Sequence, residues 1–180
     1  MVREGYARSM AELNFPSTLG GDFAGTVEDI GEDVEGFQIG DAVYGQAGAL
    51  SSNGSFAEYV PVKSSQAAVI KSDANLVDYA ALPLAAGSAW QALKTHLDLQ
   101  SGQTILIHGG AGGIGSMAVQ IAKALDAKVI ATSAGKDVGF VKSLGADDVI
   151  DYQTEDFTQK VQDIDAVFDT VGGETNKKSY

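Results

Sequence analysis

Six residues with glycine at set positions stand between a predicted strand and a predicted helix. They fit the pattern G-x-G-x-x-G and are Gly110, Ala111, Gly112, Gly113, Ile114 and Gly115. Glycine would permit a tight turn at Gly110, close approach of a pyrophosphate at Gly112, and close helix packing at Gly115. The first N–H groups of the helix would then face the phosphates. The pattern is weak by itself in a chain with 22 glycines, but its strand–turn–helix context predicts a dinucleotide-binding turn.

Alternating strands and helices are predicted around this turn and must position it. The predicted strands are residues 104–107, 128–132, 148–151 and 164–171. Helices are predicted after the glycine turn, at residues 137–144 and around residues 157–161. The first of these has one apolar face, made by Ile114, Met117, Ala118, Ile121, Ala122 and Leu125. This alternation predicts right-handed crossovers and a parallel sheet with the strand order 3-2-1-4.

The first 72 residues contain short β-type runs broken by glycine. Strands are predicted at residues 25–30 and 56–62, the second at a sheet edge because Pro61 lies near its end. Residues 73–100 are rich in alanine and leucine and predict two bridging helices, with Pro83 between them. We therefore predict an α/β chain with a β domain at 1–72, bridging helices at 73–100 and a Rossmann-type domain at 101–180.

The composition excludes several function classes. A net charge of −12 argues against nucleic acid and against an anionic membrane surface as partners. Without cysteine there is no disulfide and no cysteine-ligated zinc within the chain, and the two histidines, His96 and His108, have no nearby cluster. We predict no metal site and a cytoplasmic location. His108 is interpreted as a buried strand-end residue, His96 as a helix-surface residue, and Trp90 as a core residue.

The segment after the second predicted strand bears on the choice between NAD(H) and NADP(H). Residues 131–136 read Ala-Thr-Ser-Ala-Gly-Lys and have no carboxylate where a ribose-binding acid normally lies. Ser133 offers a hydroxyl and Lys136 a cation for a 2′-phosphate, which favours NADP(H). The alternative is that Lys136 is a solvated residue of a helix first turn. Asp137 lies past the turn and is interpreted as a helix-start residue.

Further motifs occur in a fixed order along the chain. They are residues 19–27 (LGGDFAGTV), 43–45 (VYG), 54–60 (GSFAEYV), 80–84 (AALPL), 144–147 (LGAD), 149–152 (VIDY) and 169–172 (DTVG). Together with the glycine pattern, this set resembles the medium-chain dehydrogenase/reductase superfamily over essentially the whole chain. The resemblance implies that a partial GroES-like β domain precedes the Rossmann-type domain.

Two absences make the resemblance closest to the zinc-free quinone oxidoreductase branch. Zinc alcohol dehydrogenases have Gly-His-Glu where this chain has Gly-Gly-Asp at 20–22, so Gly21 replaces the ligand histidine. They also insert a four-cysteine lobe where only residues 46–55 separate Gly45 from Phe56 here. The resemblance therefore implies hydride transfer from NADPH to a quinone or an α,β-unsaturated carbonyl without zinc.

The resemblance also implies roles for individual residues. The pyrophosphate would lie on 110–115, the 2′-phosphate would face Ser133 and Lys136, and Ser88 stands where the family often has threonine near the nicotinamide. Tyr152 would lie against the adenosine end, and Val171 and Gly172 would pass near the ribose. Because family members are much longer, we expect the chain to be part of a longer protein and name no catalytic residue.

Three alternatives stay open at this point. A short-chain dehydrogenase needs a Tyr-x-x-x-Lys dyad well after the glycines, and Tyr59 to Lys63 precedes them. A non-catalytic NADPH-binding module would follow from missing catalytic segments, and enoyl-thioester reduction would use the same scaffold. Open sheet edges could promote a homodimer.

Overall fold

The computed structural model describes residues 15–48, 53–71 and 75–179. The chain divides into two compact units, Met1–Leu84 and Ala85–Tyr180, and each is described by itself. This division falls inside the predicted bridging segment 73–100. The predicted boundary at residue 72 lies outside the described residues, and the three-part division stays a prediction.

The first unit contains a three-stranded antiparallel sheet with the strand order β1-β2-β3. The strands are β1 (Asp22–Thr26), β2 (Ala42–Gln46) and β3 (Ala67–Val69), followed by helix α1 (Leu76–Ala80). A Cβ added to Gly45 of β2 would lie 2.0 Å from the carbonyl oxygen of Gln66, so the close approach of these two backbones requires glycine. Tyr44 packs edge-on against Tyr79 with ring centroids 5.1 Å apart, as a packed strand tyrosine does.

Two strands predicted for this unit are wrong in extent or position. The strand predicted at 25–30 is β1 at Asp22–Thr26; beyond it, the Asp29 carboxylate accepts the N–H of Ile30 at 2.9 Å and turns the backbone locally. Residues 56–62 form no strand, and the side chain of Phe56 is 79% exposed. The Phe56 N–H donates to the carbonyl of Leu19, which lies outside the ladder. The alternation of residue types therefore predicted a strand where the chain forms an exposed loop.

The second unit contains a four-stranded parallel sheet with the order β6-β5-β4-β7. The strands are β4 (Thr104–His108), β5 (Lys128–Ser133), β6 (Asp148–Asp151) and β7 (Ala166–Asp169). The helices are α3 (Gly113–Ala124), α4 (Val138–Ser143), α5 (Phe157–Lys160) and α6 (Glu174–Lys177). Counted from β4, the order is 3-2-1-4, so the predicted order and the Rossmann-type fold are confirmed.

One more helix, α2 (Pro83–Trp90), begins in the first unit and continues as a π-helical turn at Gln91–His96. Pro83 is its first residue, where a missing N–H costs no hydrogen bond. Leu93 in the π-helical turn is fully buried, whereas Trp90 is 52% exposed. The prediction that Trp90 is a core residue is therefore wrong for this chain. His96 is exposed on the same turn, as predicted.

The core of the second unit lies between the sheet and α3. Ile105 and Ile107 of β4 are fully buried against Val119 and Ala122 of α3. Burying an isoleucine or valine side chain stabilises a fold by about 1.5–3 kcal/mol. The predicted apolar face of α3 is confirmed, because its other residues also belong to this core or pack against it: Ile114, Met117, Ala118, Ile121 and Leu125.

Hydrogen bonds connect the end of helix α3 to the start of β5. Asp126 takes a left-handed φ of 59°, and the Ala127 N–H donates to the carbonyl of Ala122 at 3.0 Å, which closes the helix end. Asp147 accepts the Val129 N–H at 2.7 Å and the Lys123 ammonium at 2.9 Å. Burial would raise the pKa of Asp147, but these two donors outweigh it and hold the pKa below its ordinary value.

No helix in residues 15–48, 53–71 and 75–179 is both long and apolar enough to cross a bilayer.

Candidate functional site

The turn between β4 and α3 uses consecutive glycines in different ways. Gly109 takes a left-handed φ of 76°, and the Gly112 N–H donates to its carbonyl at 2.9 Å, which closes the turn. The Ser116 N–H then donates to the carbonyl of Gly112 at 2.8 Å, and α3 begins at Gly113. The tight turn predicted at Gly110 is present, since Gly110 is a central residue of this turn, but the left-handed conformation lies at Gly109.

Two other glycines allow close packing instead. A Cβ on Gly115 would lie 2.1 Å from the carbonyl oxygen of Gly109, so the first turn of α3 rests directly on the backbone of the glycine turn. A Cβ on Gly110 would lie 2.9 Å from the Cβ of Ala131 and 3.1 Å from Cγ1 of Val141. Close helix packing at Gly115 is thus confirmed, while Gly110 makes room for the neighbouring strand and helix.

The amino end of α3 offers hydrogen-bond donors without a competing charge. The N–H groups of Gly113, Ile114 and Gly115 have no carbonyl within the helix to bond, because the partner would lie before the helix starts. The first turn carries no acidic side chain, and Gly112 and Gly113 are exposed. This twelve-residue helix therefore presents a positive dipole end that suits a phosphate.

A cavity of about 960 Å³ opens beside this turn, at the carboxyl ends of the parallel strands. Its volume lies at the upper end of the range of small-molecule sites, about 300–1,000 Å³. Five of the predicted site residues line it: Ala111, Gly112, Ser133, Tyr152 and Val171. Ser133 is buried, and its hydroxyl donates to the carbonyl of Ala134 at 3.2 Å.

The remaining predicted site residues are not among those that line the cavity. Ile114 packs against the core, Gly115 is buried under the turn, and Ser88 lies on α2. Lys136 is exposed in the short turn Gly135–Asp137 before α4. The others are Gly110, Gly113 and Gly172. Their role as cofactor ligands stays a prediction.

Several lining residues were missed by sequence reasoning. His108, Thr132 and Thr170 lie at or next to the carboxyl ends of their strands, and the rule that ligands bind at the carboxyl ends of parallel strands would have found them. Asp137 lies at the start of α4, as interpreted, and also lines the cavity. Lining residues from α6 and the segment after it could not be found by spacing: Glu174, Thr175 and Lys178.

The rim of the cavity is acidic. Its lining carboxylates are Asp137, Glu155, Asp156 and Glu174, and among the described lining residues Lys178 is the sole cation. A hydrogen bond from the Lys160 ammonium holds the pKa of Glu155 below its ordinary value, and the hydroxyl and N–H of Thr158 do the same for Asp156. Glu155 and Asp156 are therefore ionised at neutral pH, so an anionic ligand would be favoured at the α3 end of the cavity rather than beside them.

Asp169 shapes the wall formed by the segment after β7. One carboxylate oxygen accepts the N–H groups of Val171 and Gly172 at 2.8 and 3.0 Å. Burial would raise the pKa of Asp169, but these two N–H groups outweigh it and lower the pKa. The same bonds end β7 at Asp169, so the strand predicted to reach residue 171 is shorter, and Val171 turns into the cavity lining.

In the part of the chain that the structure describes, no group of three or more histidine, aspartate or glutamate side chains is arranged to hold a metal ion.

A 3-2-1-4 parallel sheet, with a glycine turn that feeds a helix at its carboxyl edge, defines a Rossmann-type domain. Comparison with known proteins agrees with this class. Residues 1–73 match the alcohol dehydrogenase GroES-like domain family, and residues 113–180 match the zinc-binding dehydrogenase family. The chain therefore belongs to the medium-chain dehydrogenase/reductase superfamily, and it resembles quinone oxidoreductases within it.

Individual relatives cover most of this chain. A 2-methylene-furan-3-one reductase from Solanum lycopersicum is 39% identical over 87% of the chain and 42% of the relative. A solved alcohol dehydrogenase superfamily protein from Novosphingobium aromaticivorans is 38% identical, with a TM-score of 0.90 over 99% of the chain and 55% of the relative. The Escherichia coli quinone oxidoreductase solved with NADPH is 28% identical, with a TM-score of 0.85 over 99% of the chain and 57% of the relative. The chain thus spans about half the length of such relatives.

Proposed function

We propose that the protein is an NADPH-dependent oxidoreductase that reduces a quinone or an α,β-unsaturated carbonyl compound. The observation that carries the proposal is the glycine turn, in which Gly115 packs on the backbone of Gly109 and leaves the amino end of α3 uncovered. The names of the similar proteins, a furanone reductase and a quinone oxidoreductase, support the choice of acceptor.

The residues present fit a dinucleotide. A Cβ on Gly112 would approach the Gly109 carbonyl to 3.2 Å, and one on Gly113 would meet nothing within 4 Å, so a pyrophosphate could approach both backbones. The N–H groups of the first turn of α3 would bind it, and Tyr152 and Val171 would bound the adenosine half. A bound nicotinamide dinucleotide supplies the hydride in this class of reaction, while the protein binds and orients it.

The preference for NADPH is the finer part of the proposal. Lys136 lies in the turn directly after β5, next to lining residue Asp137, and its side chain makes no ion pair among those found in the described residues. The acidic rim would repel the 2′-phosphate that distinguishes NADPH from NADH. The ammonium of Lys136 would have to offset this repulsion. A carboxylate suited to the ribose hydroxyls of NADH is missing at the end of β5.

Thermal melts with each coenzyme test this assignment. A coenzyme at one hundred times its Kd should stabilise the wild type by about 2.7 kcal/mol, which is about 5–10 °C in Tm for a chain of this size. NADPH should protect more than NADH, and Lys136→Ala should remove that difference. Lys142→Ala, an exposed lysine on α4 away from the cavity lining, is the matched control. Equal shifts with both coenzymes would remove the phosphate assignment.

Acceptor class and zinc independence need an activity measurement. Consumption of NADPH with a quinone, a short enone and an enoyl thioester separates the proposed reaction from enoyl-thioester reduction. Activity should persist after dialysis against a zinc chelator, because Gly21 stands where a zinc enzyme has its histidine. Coenzyme binding without turnover of any acceptor would instead identify a non-catalytic module. The cytoplasmic location stays a prediction from the composition.

A further inference from the structure

A buried histidine joins the two walls of the cavity. His108, the last residue of β4, is 1% exposed and packs edge-on against Phe157, with ring centroids 4.6 Å apart. Its Nδ1 lies 3.1 Å from Oγ1 of Thr132 on β5, and its Nε2 lies 3.2 Å from Oγ of Ser179 after α6. The proposed hydride transfer uses neither of these ring nitrogens.

The hydrogen-bond partners fix the tautomer of the ring. The Ser179 hydroxyl donates its hydrogen to the carbonyl of Thr175 at 2.9 Å. Toward His108 it can therefore only accept, so Nε2 must carry the hydrogen. Neutral Nδ1 is then an acceptor, and the Thr132 hydroxyl donates to it. The Thr132 oxygen in turn accepts the N–H of Gly109 at 3.2 Å. Every donor in this chain of bonds has one acceptor.

The chain of bonds ends on the left-handed residue of the glycine turn. The Gly109 N–H is held through Thr132, and the His108 carbonyl accepts the hydroxyl of Thr170 at 2.7 Å. A Cβ on Gly109 would lie 2.6 Å from that same hydroxyl oxygen, so the turn fits closely between β5 and the segment after β7. Burial lowers the pKa of the His108 imidazole, and the carboxylate of Asp169 offsets this only in part.

We propose that neutral His108 is a positioning residue for the glycine turn: through Thr132 it orients the Gly109 amide, and through Ser179 it holds the opposite wall of the cavity at a fixed distance. Its consequence for coenzyme affinity rests on the proposed function. The positioning itself does not, because it concerns bonds within the chain.

The variants can separate the two sides of the ring. The side-chain oxygen of asparagine can take the position of Nδ1 and accept from Thr132, and the side-chain nitrogen of glutamine can take the position of Nε2 and donate to Ser179. His108→Asn should therefore keep the bond to Thr132, His108→Gln the bond to Ser179, and His108→Phe neither. Thr132→Val removes the hydroxyl that holds the Gly109 amide at nearly unchanged volume, and Thr132→Ser should restore it.

Amide hydrogen exchange at Gly109 is the direct measurement. Exchange should quicken about tenfold or more in Thr132→Val and His108→Phe, which corresponds to about 1.4 kcal/mol for one partly buried hydrogen bond. It should stay near the wild-type rate in Thr132→Ser and His108→Asn. Ser143→Ala, which removes an exposed hydroxyl that donates to a helix carbonyl at 2.7 Å, is the matched control. Unchanged exchange in both Thr132→Val and His108→Phe would overturn the proposal, and if either variant fails to fold, the other decides.

Nitrogen-15 NMR of labelled histidine measures the tautomer and the protonation state of His108, which a purely structural role for this residue would not specify. The chain has two histidines, and exposed His96 serves as the internal reference. As the pH falls below about 6.5, where an unperturbed imidazole gains its proton, His108 should stay neutral with the hydrogen on Nε2. The charged groups that face the ring or share its cavity are Asp169, Asp137, Glu155, Asp156, Glu174 and Lys178. A hydrogen on Nδ1, or protonation of His108 at the pH of an unperturbed imidazole, would refute the inference.

Coenzyme affinity completes the test. NADPH should bind about tenfold more weakly to His108→Phe than to the wild type, with His108→Asn between them. If the wild type binds neither NADPH nor NADH, the proposed function fails, and the exchange and NMR results still decide the role of His108. If the wild type binds and His108→Phe binds equally well, the link from this residue to the coenzyme is refuted.

Discussion

Replacing Gly115 with alanine should destabilise the second unit more than any other single methyl group added to α3. The added Cβ would lie 2.1 Å from the carbonyl oxygen of Gly109 and 2.8 Å from its carbonyl carbon. Both atoms belong to the backbone of the turn, which cannot rotate away as a side chain could. Either the helix or the turn must therefore move by about 1 Å, as in an overpacked core.

The size of the effect follows from two opposing terms. Overpacking of this kind costs about 1–3 kcal/mol, and alanine in place of glycine within a helix returns up to about 1 kcal/mol. A net loss of about 1–2 kcal/mol should lower Tm by about 2–8 °C in a chain of this size. The same displacement moves the N–H groups that would hold a pyrophosphate, so protection by NADPH should fall as well.

Gly113→Ala is the matched control, since it adds the same methyl group in the same helix turn. A Cβ there would meet nothing within 4 Å, and the residue is exposed. Its Tm should be unchanged or raised, because alanine restricts the unfolded chain and can add up to about 1 kcal/mol to the free energy of unfolding. Thermal unfolding followed by far-UV circular dichroism compares the two variants. If Gly115→Ala melts at the temperature of Gly113→Ala, the close contact between helix and turn does not exist.

Two further predictions concern other parts of the chain. Gly45→Ala should lower Tm by several degrees, because its Cβ would lie 2.0 Å from the Gln66 carbonyl oxygen. Gly25→Ala is the control and should leave Tm unchanged, because its Cβ would meet nothing within 4 Å. Equal Tm values for the two variants would contradict this prediction. The depressed pKa of Asp147 means that its bonds to Lys123 stabilise the fold above about pH 4 and are lost as the pH falls through the folded-state pKa. Since the side chains are 39% and 33% exposed, the contribution should stay below about 1 kcal/mol. In urea melts, Asp147→Asn should be less stable than the wild type at pH 7 and nearly equal to it at pH 3; a constant difference would contradict the assignment.

Local patterns determined much of the second unit. The strands at 104–107 and 128–132 could be predicted because buried parallel strands leave apolar runs in the sequence, whereas only the two central residues of the strand at 148–151 are apolar and buried. Their order was predicted from the usual strand order of Rossmann-type sheets, a rule that needs no knowledge of the particular side chains. In the first unit the same reasoning failed at residues 56–62, because alternation along a segment does not reveal whether another strand is available to pair with it.

For the candidate site, the sequence by itself determined where the glycine turn lies and that a helix follows it, since both depend on neighbouring residues. Only the tertiary structure decided what each glycine does: Gly110 faces Ala131 and Val141, and Gly115 faces the turn itself. It also joined His108 to Ser179, 71 residues away along the chain. Contacts of that kind depend on the folding of the whole sheet, and no spacing within a motif encodes them.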